Sequence, residues 1–192
     1  MSMLVGLTGG MGAGKTLVAE IFRELSAYIL DADLMARNLV VPKEPAWKEI
    51  VGFFGRGVLL KNEQINRSKL GRIVFRDPEK RKILENILHP KIFEEELRVY
   101  KKIRCLDSKA LVVVDAALLI ESGNYKNMDK VLVVSCEQQE SIQRILKRDS
   151  LSKAEIKKRL QVQMKIGDKV KYADYVIDNN GTIKQLEIKV KK

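Results

Sequence analysis

The chain has 192 residues, 45% of them hydrophobic and 32% charged, with a formal net charge of +11. These values exclude a disordered polar chain and suit one globular domain with a sizeable core. The basic balance permits nucleic acid, anionic lipid or phosphorylated small molecules as partners. Between Arg144 and Lys171, ten basic residues against three acidic ones indicate either an anion site or a solvated helix face.

Apolar, strand-like runs alternate with segments of helical spacing along the chain. The first run, Leu4–Thr8, ends in a glycine cluster, and helical spacing follows over Thr16–Ser26. Further strands are predicted at Tyr28–Leu30, Leu111–Val114, Val131–Ser135 and Tyr175–Ile177, and further helices at Glu137–Arg148, Lys153–Lys165 and Ile183–Val190. The uninterrupted β-branched runs are typical of strands buried on both faces, so this order predicts a doubly wound, parallel α/β fold.

The stretch between the second and third strands is expected to be a helical insertion, from about residue 35 to residue 105. Breaks in its helices are expected at Pro42, Pro45, Gly52–Gly57, Pro78 and Pro90. Proline is expected to interrupt a helix because it lacks the amide hydrogen that the helix interior uses.

The sequence carries no sign of export or of a membrane location. The N-terminus enters a strand directly, without the basic segment and cleavage site of a signal peptide. The longest apolar run, Ala110–Ile120, is too short to span a bilayer. Cys105 and Cys136 have no metal or redox spacing. We therefore expect a cytoplasmic protein in a reducing compartment.

A glycine-rich segment that ends in a lysine and a threonine follows the first strand. Gly9–Thr16 reads Gly-Gly-Met-Gly-Ala-Gly-Lys-Thr and matches the phosphate-loop pattern Gly-x-x-x-x-Gly-Lys-Ser/Thr. Its glycines let backbone N–H groups point at phosphate oxygens, Lys15 supplies a cation, and the Thr16 hydroxyl can ligate Mg²⁺. The alternative, a turn that only caps the next helix, explains the glycines but not Lys15 and Thr16.

The phosphate loop predicts a nucleoside triphosphate as ligand but does not define the reaction. A GTPase requires an Asn-Lys-x-Asp signature, which the sequence lacks. Asp178–Gly181 does match Asp-x-x-Gly, but it follows the last strand, where no switch element is expected.

Acidic residues follow two of the predicted strands, at the edge where the ligand crevice of a doubly wound sheet opens. On an extended Asp31-Ala-Asp33 segment both carboxylates would leave the same face, and one could accept the proton of an attacking hydroxyl. Asp33 could equally cap a helix that begins at Leu34. Asp115 resembles a Walker B carboxylate that holds Mg²⁺, or else it is a turn residue, and spacing alone does not assign Glu121.

Arginines cluster on the helices after the fourth strand. Arg144 and Arg148 lie four residues apart and so share a helix face, and Arg159 follows on the next predicted helix. Guanidinium groups over a triphosphate would stabilise charge that moves to the leaving group. The alternative is surface ion pairing with Glu140 and Asp149.

Six segments together resemble the dephospho-coenzyme A kinase family. They are Leu7–Thr16, Asp31–Arg37, Leu88–Pro90, Asp115–Glu121, Arg144–Asp149 and Ala173–Gly181. They occur in the family's order over nearly the whole chain. The Asp-Ala-Asp-x-x-Ala-Arg, Leu-His-Pro and Val-Ile-Asp-Asn segments are more specific to that family than the phosphate loop is.

The resemblance implies transfer of the γ-phosphoryl group of ATP to the ribose 3′-hydroxyl of dephospho-coenzyme A, the last step of coenzyme A biosynthesis. It implies a three-layer P-loop kinase fold with five parallel strands in the order 2-3-1-4-5. Within a single domain of residues 1–192, a core (1–33, 110–143 and 166–192) would carry a helical acceptor-binding insertion at about 35–105 and a helical lid at about 144–165.

The resemblance also implies roles for residues at matching positions. Asp33 becomes the favoured general base, with Lys15, Arg144 and Arg148 as further catalytic residues. ATP binding is expected at Gly10, Met11, Gly12, Ala13, Gly14, Lys15, Thr16, Leu17, Asn179 and Gly181, acceptor binding at Asp31, Asp33, Arg37, His89 and Leu118, and Mg²⁺ binding at Thr16 and Asp115. His89 is the only histidine, and without the resemblance a packing or turn role would be favoured for it.

Two positions depart from the family pattern. Ala117 stands where the family usually has proline, and Thr16-Leu17 stands where Ser-Thr is common. Thr16 keeps the hydroxyl that a metal role needs.

The expected partners are ATP and dephospho-coenzyme A, with Mg²⁺ as cofactor, no nucleic acid, no membrane and a monomer favoured. One rival is a P-loop kinase that acts on a nucleoside or nucleotide. Another is a nucleic-acid-binding ATPase, which the charge of +11 suggests, although aromatic residues are only 6% and do not interleave with the basic run. The intact Lys15, Thr16 and Asp33 argue against a third rival, an inactive binding module.

Overall fold

The computed structural model describes residues 1–148 and 163–192, without the side chains of Lys147 and Arg148. The chain divides into two compact units. The first unit comprises Met1–Asp31 and Lys102–Lys192, and the second comprises Ala32–Lys101. Most of the predicted lid, including Arg159, lies outside the described residues.

A parallel sheet forms the centre of the first unit. Its strands in the described residues are β1 (Met3–Gly9), β2 (Tyr28–Asp31), β3 (Leu111–Asp115), β4 (Lys130–Ser135) and β5 (Tyr175–Asp178). Their order across the sheet is β2-β3-β1-β4-β5, which confirms the predicted fold class. Each strand contains the predicted one and extends it by one or two residues.

The inner strands are buried on both faces because their branched aliphatic side chains alternate between two apolar layers. Helices α1 (Lys15–Glu24) and α8 (Ile183–Val190) cover one face. The cluster on that face includes Val5, Leu7, Val18, Ile21, Val113, Leu132, Val134, Ile177, Leu186 and Val190. Toward the opposite face, Gly6 leaves room for the side chains of Leu119 and Met128.

The helices of the second unit surround a core of their own. They are α2 (Ala32–Leu39), α3 (Pro45–Phe54), α4 (Arg67–Arg76) and α5 (Pro78–Leu106), with a 3₁₀ turn at Arg56–Val58. The last residues of α5, from Lys102, belong to the first unit. The core contains Val40, Ala46, Trp47, Ile50, Val58, Ile65 and Leu70. The indole N–H of Trp47 donates to the backbone oxygen of Glu63 at 2.8 Å, which satisfies a polar group at the edge of this core.

The predicted helix break at Pro90 is wrong, because α5 continues through it from Pro78 to Leu106. Proline leaves carbonyl groups in the preceding turn short of amide donors. Here the Lys91 ammonium donates to the backbone oxygen of Ile87 at 3.2 Å and pairs with Glu49 of α3 at 2.9 Å. The backbone oxygen of Ile87, one turn before Lys91, thus accepts from a side-chain donor beside the proline.

The described part of the first unit also contains α6 (Gln138–Arg148), the short helix α7 (Ile166–Lys169) and 3₁₀ turns at Asn124–Asn127 and Val170–Tyr172. The predicted helix Lys153–Lys165 lies almost wholly outside the described residues, and residues 163–165 are not helical. None of the helices that the structure describes is long and apolar enough to span a membrane.

Candidate active site

The glycine-rich loop lies where β1 ends and α1 begins, and its backbone fits only glycine at two positions. Gly12 has φ +76° and Gly14 has φ +92°, in the left-handed region that side chains rarely adopt. A Cβ on Gly12 would also lie 2.7 Å from the backbone oxygen of Ser141. The loop leads directly into the N-terminus of α1, which is the positive end of the helix dipole. Backbone amides at such a position favour the binding of phosphate oxygens.

Hydrogen bonds within the loop and from other segments hold the loop in this shape. The Ala13 N–H donates to the oxygen of Gly10 at 3.0 Å, inside the loop. The Ser141 hydroxyl of α6 donates to the oxygen of Met11, and the Met11 N–H donates to Oε1 of Gln163 at 3.0 Å. Sequence reasoning missed Ser141 and Gln163, because neither belongs to the phosphate-loop pattern.

Lys15, the first residue of α1, donates a charge-assisted hydrogen bond to the Asp115 carboxylate at the end of β3. Both side chains are largely buried, so the pair lies in a region of reduced dielectric where charge interactions are strong. The structure thus brings together the predicted phosphate-binding cation and the predicted metal-binding carboxylate. Thr16 follows Lys15 in the first turn of α1.

A second carboxylate occupies the same edge of the sheet. Asp31 and Asp115 are paired positions on the neighbouring parallel strands β2 and β3. Paired positions on neighbouring strands present their side chains on the same face of the sheet.

Carboxylate and hydroxyl oxygens are the ligands that Mg²⁺ prefers, so the side chains of Asp115 and Thr16 have the chemistry to bind that ion. Among the described residues no group of three or more His, Cys, Asp or Glu could hold a metal.

Arg144 and Asn179 connect α6, β5 and the loop. The Arg144 guanidinium donates to the backbone oxygen of Asn179 at 3.0 Å and lies 3.4 Å from Glu140. The buried Asn179 amide donates to the oxygen of Ala13 at 2.8 Å. Arg144 therefore pairs with Glu140, as the surface alternative predicts, and also contacts Asn179, the residue that donates to the phosphate loop.

Three further predicted site residues are Gly181, Arg148 and Leu118. Gly181 lies against the side chain of Gln185, which accepts from the Thr182 N–H at 2.9 Å in the capping box of α8. The side chain of Arg148 is outside the described residues. Leu118, a predicted acceptor-binding residue, is partly exposed in the turn after β3.

A buried lysine that sequence reasoning missed lies beside this turn. The Lys169 side chain is fully buried, and its ammonium group lies 3.1 Å from the Glu121 carboxylate. Burial lowers the pKa of Lys169, Glu121 raises it, and the positive charge of Lys15 lowers it further. Glu121, which spacing alone did not assign, also accepts from the Met164 N–H at 2.9 Å.

The second unit contains three predicted site residues. Asp33 is exposed in the first turn of α2, which begins at Ala32. The expectation of an extended Asp31-Ala-Asp33 segment is therefore wrong, and so is a helix start at Leu34, because the chain turns directly from β2 into α2. Arg37 is exposed in the last turn of α2.

His89 lies on α5 and is partly buried, with its ring stacked on Phe93 at a centroid distance of 5.9 Å. Burial lowers the pKa of His89, and the Glu85 carboxylate opposes that shift. The imidazole is therefore biased toward its neutral form, which can both donate and accept hydrogen bonds.

Comparison with known proteins identifies the family. A family model described as Dephospho-CoA kinase matches residues 3–185. The chain belongs to the dephospho-CoA kinase family. Dephospho-CoA kinase of Aquifex aeolicus (strain VF5) is 43% identical over 188 residues, which cover 98% of this chain and 94% of that protein. Dephospho-CoA kinase of Bacillus anthracis is 42% identical over 95% of this chain and 91% of its own length.

Solved structures are also similar to this chain. Dephospho-CoA kinase from Campylobacter jejuni is similar with a TM-score of 0.70 and 34% identity, over 99% of this chain and 96% of that one. TT1252 from Thermus thermophilus has a TM-score of 0.82 and 29% identity, over 99% and 95%. Shikimate kinase from Acinetobacter baumannii, at 0.54 and 20% identity, shares the fold.

Proposed function

We infer that this chain transfers the γ-phosphoryl group of ATP to the ribose 3′-hydroxyl of dephospho-coenzyme A, and so produces coenzyme A and ADP in the last step of coenzyme A biosynthesis. The observation that carries this inference is the family match over residues 3–185, in a chain whose phosphate loop presents Lys15 beside Asp115. Phosphoryl transfer needs mainly positioning and charge stabilisation, which this loop suits.

The residues of the first unit would bind and polarise the triphosphate. The loop amides and the start of α1 favour phosphate oxygens, and Lys15 can follow negative charge onto the β- and γ-phosphates. Thr16 and Asp115 would hold Mg²⁺, which when bound neutralises charge on the phosphates. Arg144, together with Arg148, is proposed to stabilise charge on the leaving group.

Asp33 is proposed to accept the proton of the acceptor's 3′-hydroxyl while that oxygen attacks the γ-phosphorus directly, with no phosphoenzyme. Asp31, Arg37, His89 and Leu118 are proposed to bind the acceptor. Asp33 is exposed on the first turn of α2, which suits a group that must reach a substrate. Closure of the lid would exclude water and so suppress ATP hydrolysis.

The decisive experiment measures ADP release from ATP and Mg²⁺ with one acceptor at a time. The acceptors are dephospho-coenzyme A, adenosine, AMP and single-stranded DNA, beside a reaction without acceptor. We expect ADP only with dephospho-coenzyme A, and a product with the mass of coenzyme A. Turnover with another acceptor alone would keep a P-loop kinase but reject this substrate, and stimulation by DNA would favour the nucleic-acid-binding ATPase.

Two further features complete the proposal. We expect the enzyme to act in the cytoplasm and to act as a monomer. Size-exclusion chromatography with light scattering tests the second expectation, because a monomer has a mass of 21.9 kDa.

A further inference from the structure

Lys169, at the end of α7, carries a buried ammonium group among the described residues of the first unit. Its side chain is fully buried, although it lies outside the phosphate loop, in the basic run between Arg144 and Lys171. A buried ammonium is strongly unfavourable unless hydrogen bonds and an opposite charge replace its water. Its partners therefore indicate what the residue does.

The partners of Lys169 lie on two segments next to candidate active-site residues, the end of β1 and the turn after β3. The Lys169 ammonium donates to the backbone oxygen of Ala117 at 2.7 Å and lies 3.4 Å from the Thr8 hydroxyl of β1. The Thr8 hydroxyl itself donates to the oxygen of Ala117 at 3.2 Å. Thr8 directly precedes the glycine-rich loop, and Ala117 is two residues after Asp115.

Glu121 supplies the opposite charge and a second connection. Its carboxylate lies 3.1 Å from the Lys169 ammonium and accepts from the Met164 N–H at 2.9 Å. The neighbouring Gln163 accepts from the Met11 N–H of the loop. The segment 163–169 thus contacts the phosphate loop, the turn after β3 and the end of β1.

We propose that Lys169 is a positioning residue for phosphoryl transfer, which holds the turn after β3 against β1 and so fixes Asp115 relative to Lys15 and Thr16. This inference rests on the proposed function, because it assigns Asp115 and Thr16 to the Mg²⁺–ATP site. Lys169 touches neither substrate nor metal in this role. It acts through the backbone of Ala117, in the way that outer-shell groups orient metal ligands.

The test compares Lys169→Met with Lys169→Arg, Glu121→Gln and a matched control, Lys171→Met. Methionine keeps much of the apolar length of lysine but donates no hydrogen bond, and glutamine keeps the acceptor for Met164 while removing the ion pair. Lys171 lies two residues away, and its side chain is 72% exposed in an ion pair with Asp168. Lys171→Met therefore removes a lysine charge from the same segment without touching the turn.

Two measurements separate positioning from stability. The first is steady-state turnover at saturating dephospho-coenzyme A with varied Mg²⁺ and ATP. The second is the rise in melting temperature that ADP produces with Mg²⁺ and with EDTA, which needs neither acceptor nor turnover. All assays run below the melting temperature of each variant.

We expect Lys169→Met to lower kcat or raise the Mg²⁺ concentration for half-maximal activity by about 10- to 100-fold. The KM for dephospho-coenzyme A should stay within a few-fold of wild type, and the Mg²⁺-dependent part of the ADP shift should shrink. Lys169→Arg should recover part of the activity, Glu121→Gln should change the same quantities in the same direction, and Lys171→Met should match wild type.

Wild-type values of kcat, Mg²⁺ dependence and ADP shift in Lys169→Met would overturn the proposal. So would a lower melting temperature with all three values preserved, because that pattern belongs to a purely structural lysine. If Lys169→Met does not fold, Glu121→Gln decides by the same criteria. A wild-type enzyme without turnover on dephospho-coenzyme A would instead reject the proposed function, while the ADP shift would still report on Lys169.

Discussion

Asp31 and Asp33 are two residues apart but occupy different structural positions. Asp31 ends β2 in register with Asp115, whereas Asp33 is exposed in the first turn of α2. Sequence spacing could not distinguish them, because the change from strand to helix falls between the two residues. Their proposed roles also differ, because Asp33 is proposed as the general base and Asp31 only as an acceptor-binding residue.

Asp33→Ala should lower kcat with dephospho-coenzyme A by about 10²- to 10⁴-fold, the usual contribution of a general base. The KM for ATP should change little, because ATP is assigned to the residues of the first unit. Steady-state kinetics with both substrates varied measures the two effects, and Lys15→Ala is the comparison that should impair turnover with any acceptor. Activity of Asp33→Ala within a few-fold of the parent would show that the base is another group.

His89 gives a pH dependence whose sign follows from its burial. Its pKa is lowered from 6.5 in the folded protein, so below pH 6.5 the unfolded chain binds a proton that the folded protein does not. Folding stability due to His89 is therefore present above pH 6.5 and is lost as the pH falls toward the lowered pKa. The neighbouring Glu85 opposes the shift without reversing it.

The melting temperature of wild type should accordingly fall more between pH 7.5 and pH 5.5 than that of His89→Gln. Carboxylates titrate in both proteins, so their effect cancels in the comparison. Differential scanning calorimetry at the two pH values measures the fall in melting temperature of each protein. Equal falls in the two proteins would mean that His89 has an ordinary pKa when folded.

At the scale of elements, the strands were predictable because their signal is local. The buried strands are mainly runs of branched aliphatic residues, such as Leu111–Val114 in β3, and the structure shifts their bounds by at most one residue at each end. The continuity of α5 through Pro90 was not predictable, and beside the proline Lys91 contacts Glu49 on α3. Such a contact depends on tertiary packing and leaves no periodic pattern.

The candidate site divides in the same way. The phosphate loop is one continuous segment, so Lys15 and Thr16 could be found from spacing. Ser141, Gln163 and Lys169 contact the loop or its strand from positions 130 to 161 residues away in sequence. Only the parallel order of the strands brings those segments to one edge of the sheet, and no local signal marks them.

Asn179, directly after β5, donates a hydrogen bond to the phosphate loop. Asn179→Ala should destabilise the protein by about 1–3 kcal/mol, because the oxygen of Ala13 loses its buried donor. The KM for ATP should rise as well, since the loop loses a contact next to Gly14. Urea unfolding and steady-state kinetics measure the two effects.

Asn180→Ala is the matched control for that prediction. Asn180 is exposed and accepts from the Glu137 N–H at 2.7 Å, so it offers the same side chain one residue away without contact to the loop. Its loss should change stability less and leave the KM for ATP unchanged. Equal effects of the two substitutions would remove the special role of Asn179.

At the scale of the whole molecule, two of the functions considered would use the net charge of +11 to attract an anionic ligand. Both proposed substrates are polyanions, and positive surfaces raise the rate at which anionic ligands arrive. A nucleic-acid-binding ATPase would use the same charge to hold a DNA or RNA backbone. Salt weakens both interactions, so salt dependence has to be measured together with the response to nucleic acid.

We expect kcat/KM for dephospho-coenzyme A to fall several-fold as KCl rises from about 0.03 M to about 0.3 M, because the Debye length shortens over that range. The kcat at saturating substrates should change less, since it does not depend on the arrival of the substrate. Sucrose at matched osmolality is the control for non-ionic effects. A kcat/KM that is constant over this range would show that the positive charge does not guide the acceptor. ADP release stimulated by single-stranded DNA at low salt would show that the charge has another use.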